Sequence, residues 1–290
     1  MDLVTDPANA PIPESKYVLH RRFDRMGRLV GDASMEKLFR AHVMIVGVGG
    51  VGSMAAESLA RSGVGRISLV DFDEICITNT NRQLHTLQGL IGRKKSGVMA
   101  ERLRKINPQA TIEDIPEFMS AETSERILSV RPDFVVDAID NLTAKAHLIV
   151  TCRALGLPLI SSMGAGSRMD PLAARVVDLS ETHTDPMAHQ LRKMLRSKHG
   201  FPTDGAWGIP AVFSEEVPRD PVELHYDLGQ GFKCVCPQGQ NDRHSCDRRN
   251  VIHGTASFVT AQFGLLQAAS VVQAIVGDPK NPWRKGISAC

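Results

Sequence analysis

Along the chain, short apolar runs alternate with amphipathic ones. HVMIVGVGGVG, from His42 to Gly52, is a buried β-type run that ends in glycines. SMAAESLARSG follows, rich in alanine and leucine and stopped by Gly63 and Gly65, and predicts a helix. RISLVDFD is the next strand. KSGVMAERLRKINP sets Val98, Leu103 and Ile106 among charges and ends at Pro108, which predicts a second helix. ATIEDIPEF, PDFVVDAID and LPLISSM read as three further strands, the last two flanking the helical NLTAKAHLIVTCRALG. Strands alternating with helices imply a Rossmann-like, doubly wound α/β fold whose sheet is mostly parallel, with right-handed crossovers.

Outside this stretch the pattern changes. Tyr17 to Phe39 predicts helix, broken at Gly27 and Gly31. After about Gly164, Pro, Gly and short apolar runs dominate as far as Arg249, interrupted by the amphipathic DPMAHQLRKMLRSKHG. The last helix, FVTAQFGLLQAASVVQAIVG, is apolar over most of its surface and belongs in a core or at a subunit interface. The expected organisation is a disordered lead-in over residues 1–20, a nucleotide-binding core over 21–165 and a C-terminal elaboration over 166–290.

Composition narrows the class. The 290 residues are 42% hydrophobic with a net charge of +2, enough to bury a full core and too balanced to signal nucleic acid globally. The opening MDLVTDPANAPIPES has no apolar core of a signal peptide, and the longest apolar run falls short of the roughly 20 residues of a spanning helix. Six cysteines without a secretory signal read as reduced thiols, so the expectation is a soluble, cytoplasmic protein with no membrane partner.

Gly47, Gly49 and Gly52 form G-x-G-x-x-G between a strand and a helix, with Gly50 inside the loop. Such glycines let the backbone approach a phosphate closely and aim a helix N-terminus at it. Asp71 follows Gly52 by about 20 residues, where a ribose-binding acid is expected, and Asp73 follows in VDFD. That much suits a nicotinamide dehydrogenase. The next residues do not. Asn79 and Arg82 come after the second strand, Lys95 lies in GRKK, and Asp140 and Asn141 end the strand DFVVDAIDN. The carboxyl ends of parallel strands line one crevice, so these groups converge. Hydride transfer breaks no phosphate bond and needs few charges there. Attack of a carboxylate on an α-phosphate, expelling pyrophosphate, needs cations and a metal. Asp140 suits Mg²⁺, which prefers one or two carboxylates plus phosphate oxygens, although a helix N-cap is an alternative use for it.

GVGGVGS, VDFD, NTNRQ, Gly92-x-x-Lys95, INP and VVDAIDN occur in order over roughly residues 20 to 165. The chain thereby resembles the ATP-dependent adenylating enzymes that include the ubiquitin-activating enzymes and the activators of bacterial sulfur carriers. The resemblance implies that Asp71 holds the ATP ribose, that Asn79, Arg82 and Lys95 surround the phosphates, and that Asp140 holds the metal. Arg25, in RRFDRMGRL, stands where the family places an arginine that reaches the triphosphate, in homodimers often the partner's.

A finer resemblance concerns the acceptor. TNTNRQ, the GAG and DP of MGAGSRMDP, the later DP before LRKMLR, and VFSEE look like the tRNA threonylcarbamoyladenosine dehydratases. It implies activation of the threonyl carboxylate on a modified adenosine beside the anticodon, then ring closure with net loss of water. It thins between Gly200 and Arg249. The C-x-x-C pairs of zinc-bearing sulfur-carrier activators are missing, only Cys234, Cys236 and Cys246 cluster, and no structural zinc is expected. Arg192, Lys193 and Arg196 on one helix face, and Arg248 and Arg249 beside Arg243 and His244, are candidates for tRNA phosphates. A homodimer is expected by resemblance, and a sulfur-transfer or carrier protein stays open as a partner. The rival readings are an activator of a ubiquitin-like sulfur carrier, an NAD-dependent oxidoreductase and an inactive scaffold.

Overall fold

The structure is a computed structural model that describes residues 18–222, 224, 253–279 and 281. Its frame is one sheet of seven strands: β1 (His42–Val46), β2 (Arg66–Val70), β3 (Thr111–Ile115), β4 (Phe134–Asp137), β5 (Leu159–Ser162), β6 (Ala174–Asp178) and β7 (Pro210–Ser214). In space they run β3-β2-β1-β4-β5-β7-β6, and every neighbouring pair is parallel except β6 with β7. β1, β4, β5 and β7 are buried along their whole length, as continuous apolar runs in a two-faced parallel sheet should be. The order reverses between β1 and β4. There the crossovers leave to opposite faces, and a crevice opens at the carboxyl ends of the strands.

Helices cover both faces: α1 (Asp24–Val30), α2 (Asp32–Arg40), α3 (Gly52–Arg61), α4 (Lys95–Ile106), α5 (Ser124–Leu128), α6 (Leu142–Leu155), α7 (Pro186–His199) and α8 (Ser257–Val276). The core is correspondingly double. Val43, Ile45, Leu59, Ile67, Met99, Phe134, Val259 and Phe263 fill one side, and Met44, Val135, Leu148, Ile149, Leu191, Leu195 and Phe213 fill the other. By length and composition α8 is apolar enough to cross a membrane, yet nine of its residues are buried in this core, where it packs against α3 and α2.

The structure departs from the sequence expectations at several points. Gly31, with φ +81°, does separate α1 from α2, but Gly27 breaks nothing. It lies inside α1, buried, where a Cβ would stand 2.5 Å from the Leu19 side chain, so it is there for close packing. β4 ends at Asp137, three residues earlier than read, and the helix cap is Asn141, whose Oδ1 accepts the Ala144 N–H at 3.0 Å. β6 and β7 were not anticipated. ARVVD and PAVFS are short and lie among Pro and Gly, yet they extend the sheet past residue 165. The expected lead-in over residues 1–20 lies outside the described residues up to position 17.

Candidate active site

The loop after β1 is shaped by what it cannot hold. Gly47 has φ +90°, and a Cβ on it would stand 2.7 Å from the carbonyl oxygen of Ala138. A Cβ on Gly52 would stand 1.8 Å from the Gly47 carbonyl oxygen. Any side chain at either position would close the cradle that faces the N-terminus of α3. Thr260 of α8 backs the loop, 3.2 Å from where a Gly50 Cβ would be.

Asp71, at the end of β2, is tied to this loop. Its Oδ2 accepts the Val48 N–H at 2.6 Å and its Oδ1 accepts the Asp73 N–H at 2.8 Å. Burial pushes the Asp71 carboxyl upward, against the pull of the Lys95 ammonium. Lys95 opens α4 and is itself buried; its Nζ donates to Asp73 Oδ2 at 2.7 Å. Burial alone would lower the Lys95 pKa, but the carboxylates of Asp71 and Asp73, with Asp140 further off, hold it above its ordinary value. A charged lysine therefore stands among three acids beside the glycine cradle. Asp140 is exposed on the loop between β4 and α6 and enters no hydrogen bond or salt bridge among the described residues.

Arg82 and Asn79 come from the turn after β2. Arg82 donates to the Thr78 carbonyl at 3.2 Å and to Asn81 Oδ1 at 2.9 Å, and Asn81 Nδ2 donates to the Thr255 carbonyl at 2.9 Å. Asn79 Oδ1 faces the Cys76 N–H at 3.4 Å, closing a short 3-10 turn over Ile77–Asn79. The turn is thus stapled on one side to itself and on the other to the segment that leads into α8.

Several buried polar atoms around the crevice have no partner among the described residues: Ser53 Oγ, Asp73 Oδ1, His85 Nδ1, Thr86 Oγ1, Ser96 Oγ and Gln267 Oε1. Buried polar groups normally find partners, so unspent valence gathered on the elements that ring one crevice marks a place made for a polar ligand. The cradle and the Lys95 charge suit a phosphate chain. No cluster of three or more His, Cys, Asp or Glu ligands occurs among the described residues, so a hard cation on that chain would rest on the Asp140 carboxylate and on phosphate oxygens.

The model of the ThiF family matches residues 23–287. The chain belongs to the ThiF family. It is 38% identical to the tRNA threonylcarbamoyladenosine dehydratase of Escherichia coli, over 87% of this chain and 92% of that one. It is 38% identical to the Bacillus subtilis enzyme of the same name, over 90% and 96%. The E. coli dehydratase crystallised with ATP superposes with a TM-score of 0.76 at 36% identity, covering 90% of this chain and 96% of that one.

Other expected residues of this ThiF-family chain take different places. Arg25 is exposed on α1 and enters no hydrogen bond or salt bridge among the described residues. Of the three α7 candidates Arg192, Lys193 and Arg196, Lys193 alone is exposed. Arg192 is half-buried and donates to the Thr182 carbonyl and hydroxyl, and burial lowers its pKa. Arg196 reaches the Thr203 carbonyl at 3.2 Å and stacks over Trp207. Together with His189 and Ser197 these three line a surface recess. The expected single basic face is therefore split into one outward lysine and two arginines partly spent on their own fold. Arg248, Arg249, Cys234, Cys236 and Cys246 lie outside the described residues.

The motifs of the finer resemblance turn out to be joints. Asp185, of the second DP, caps α7 through the Ala188 N–H at 2.8 Å and pairs with buried Arg168 at 2.9 Å. Arg168 also donates to the carbonyls of Gly164 and Gly166. Asp170, of the first DP, caps a short 3-10 turn, and Glu216 of SEE accepts the Asp170 N–H at 2.7 Å.

Residue-by-residue reading missed a buried network under the crevice. Lys145 and Asp137 pair at 2.7 Å with both side chains fully buried, and Ser161 donates to the same carboxylate at 2.5 Å. Gln267 of α8 donates to the Asp137 carbonyl at 2.8 Å. The signal was available: an aspartate inside an apolar strand and a lysine one turn into the next helix must find each other.

Proposed function

We propose that this protein is an ATP-dependent dehydratase that cyclises threonylcarbamoyladenosine in tRNA. The observation that carries the reading is the joining of two facts. A glycine loop lies with the buried, charged Lys95 and the acids Asp71 and Asp73 at the β1/β4 switch point, which supports phosphate and ribose binding there, and near-full-length relatives carry this activity in their names. The threonyl carboxylate attacks the α-phosphorus of ATP, and the bond to pyrophosphate breaks. The carbamoyl group of the same side chain then attacks the activated carboxyl carbon. AMP departs with one former carboxylate oxygen, a proton is released, and the modified base has lost one water.

Each site residue has a part in this proposal. Gly47, Gly49, Gly50 and Gly52 admit the phosphates, and Asp71 and Asp73 take the ribose side. Asn79, Arg82, Lys95 and Asn141 neutralise and orient the triphosphate. Asp140, with phosphate oxygens, would hold Mg²⁺, which supplies charge neutralisation at the leaving pyrophosphate. Arg25 completes the site from a partner subunit of a homodimer, consistent with its outward position on α1. Residues 21–165 serve adenylation, and 166–290 serve substrate binding and dimerisation. Lys193, Arg192 and Arg196, and by sequence Arg248 and Arg249, bind tRNA phosphates in a cytoplasmic enzyme. The protein-carrier reading is not favoured, since the full-length likeness is to tRNA-modifying enzymes.

The test is mass spectrometry of nucleosides from threonylcarbamoylated tRNA incubated with the protein, ATP and Mg²⁺. Loss of one water from the modified adenosine, absent without ATP, is expected. An unchanged nucleoside from protein that binds ATP overturns the tRNA reading.

A further inference from the structure

Gln83 and His85 end the turn that carries Arg82, and no role above uses them. Gln83 is 8% exposed, and its side-chain nitrogen stands 3.7 Å from where a Cβ on Gly49 would be, so the amide hangs over the phosphate loop. Its Oε1 lies 3.0 Å from His85 Nε2. An amide oxygen only accepts, so the imidazole must donate from Nε2 and leave Nδ1 bare. Nδ1 is buried and without a partner, in a side chain 1% exposed.

The arrangement has a direction. With the oxygen held by His85, the Gln83 NH₂ group points to the loop, and it meets no acceptor among the described residues. Had the imidazole carried its proton on Nδ1, Nε2 would accept from the amide, and a carbonyl oxygen would face the phosphates. Burial, with the Lys95 charge next, pushes the His85 pKa down to about 3, so the ring stays neutral. A bare, buried ring nitrogen is unfavourable for folding, which sets this histidine apart from a simple packing residue.

We propose that His85 is a positioning residue: it locks the Gln83 amide with its donor side over the phosphate loop, where Gln83 binds an ATP phosphate oxygen. The inference rests on the ATP reading above. It needs no titration, only the fixed tautomer.

Calorimetric titration of the full-length protein with ATP and, separately, with adenosine tests it. Gln83→Ala and His85→Leu are each expected to weaken ATP by about tenfold, the scale of one hydrogen bond to a charged group, and to leave adenosine unchanged. His85→Gln, whose amide nitrogen takes the place of Nε2, should keep ATP affinity. In the Gln83→Ala background, His85→Leu should add no further loss. ATP affinity of wild-type strength in His85→Leu overturns the proposal, as does equal loss of ATP and adenosine, or full additivity in the double variant. Should His85→Leu fail to fold, the comparison passes to His85→Gln against His85→Asn, whose shorter amide falls short of Gln83. Equal ATP affinity of those two overturns it as well. Failure of the wild type to bind ATP is a different result, and it sinks the ATP reading itself.

Discussion

The loops after β1, β2 and β4, and the loops joining β5, β6, α7 and β7, are built from similar residues and finish differently. Both contain glycine-rich turns, buried cations paired with aspartates, and helix caps. Around β5 to β7 the valences are spent, save the buried Nε of Arg168, which has no partner among the described residues. Arg168 holds Asp185 and two carbonyls, Asp185 caps α7, and Asp178 accepts the N–H groups of Trp207, Gly208 and Ile209. Around the crevice they are left over: Asp73 keeps an oxygen, Asp140 stands unbonded, and three buried hydroxyls and the His85 Nδ1 have no partner among the described residues. Motif recognition treats the two regions alike. Hydrogen-bond accounting separates a scaffold from a site.

That contrast predicts opposite consequences of substitution. The largest effect is expected at Asp140→Ala, with ATP turnover to AMP and pyrophosphate falling by about 10³-fold while the melting temperature holds, because the side chain is exposed and unbonded. Paired turnover and melting measurements check it, and a cleaving Asp140→Ala enzyme would dissolve the assignment. In the other region, Arg168→Leu leaves a buried carboxylate unpaired and should cost about 3–5 kcal/mol of stability. Urea unfolding should register it, while the folded fraction still binds ATP. Next comes Arg82→Ala, with an expected loss of about 10²-fold in kcat and an unfolding midpoint close to wild type.

A smaller effect follows from protons. His42 is pushed down to about 4 by burial and then by Arg66, and His85 to about 3 by burial and then by Lys95. Both are depressed, so the unfolded chain takes up these protons first. Stability should be level above the ordinary histidine pKa of about 6.5 and fall below it, on the order of 1 kcal/mol per pH unit for each histidine. Denaturant midpoints stepped from pH 7 to pH 4.5 measure the slope, and His42→Gln should flatten it. The smallest change is Lys193→Ala, which should weaken tRNA binding a few-fold and reduce the slope of log affinity on log salt by about 1. An unchanged salt slope would remove Lys193 from the interface.

The legibility of the sequence divides along the same line. β1 to β5, α3, α4, α6, α7 and α8 were readable because compact apolar runs alternate with amphipathic ones and the helices stop at Gly or Pro. β6 and β7, no shorter than β4 and β5, were not, since they stand outside that alternation in a stretch whose Pro and Gly content reads as loop. Gly27 read as a break because a glycine demanded by Leu19 leaves the same letter as one demanded by backbone conformation. In the crevice the cradle and acids were visible as motifs. Their partners were not: that Asp71 holds Val48, or that Gln267 reaches Asp137 from 130 residues away, depends on which elements lie side by side, and that Gln83 turns on His85 depends on the course of one irregular turn.

The central claim is that a substrate carboxylate attacks ATP at this crevice. It is tested most directly by following a heavy-oxygen label placed in the threonyl carboxylate of the modified tRNA. The account predicts one labelled oxygen in the phosphate of AMP for each nucleoside cyclised. Label released as water, or found in inorganic phosphate beside ADP, would contradict adenylation and with it the roles given to Arg82, Lys95 and Asp140.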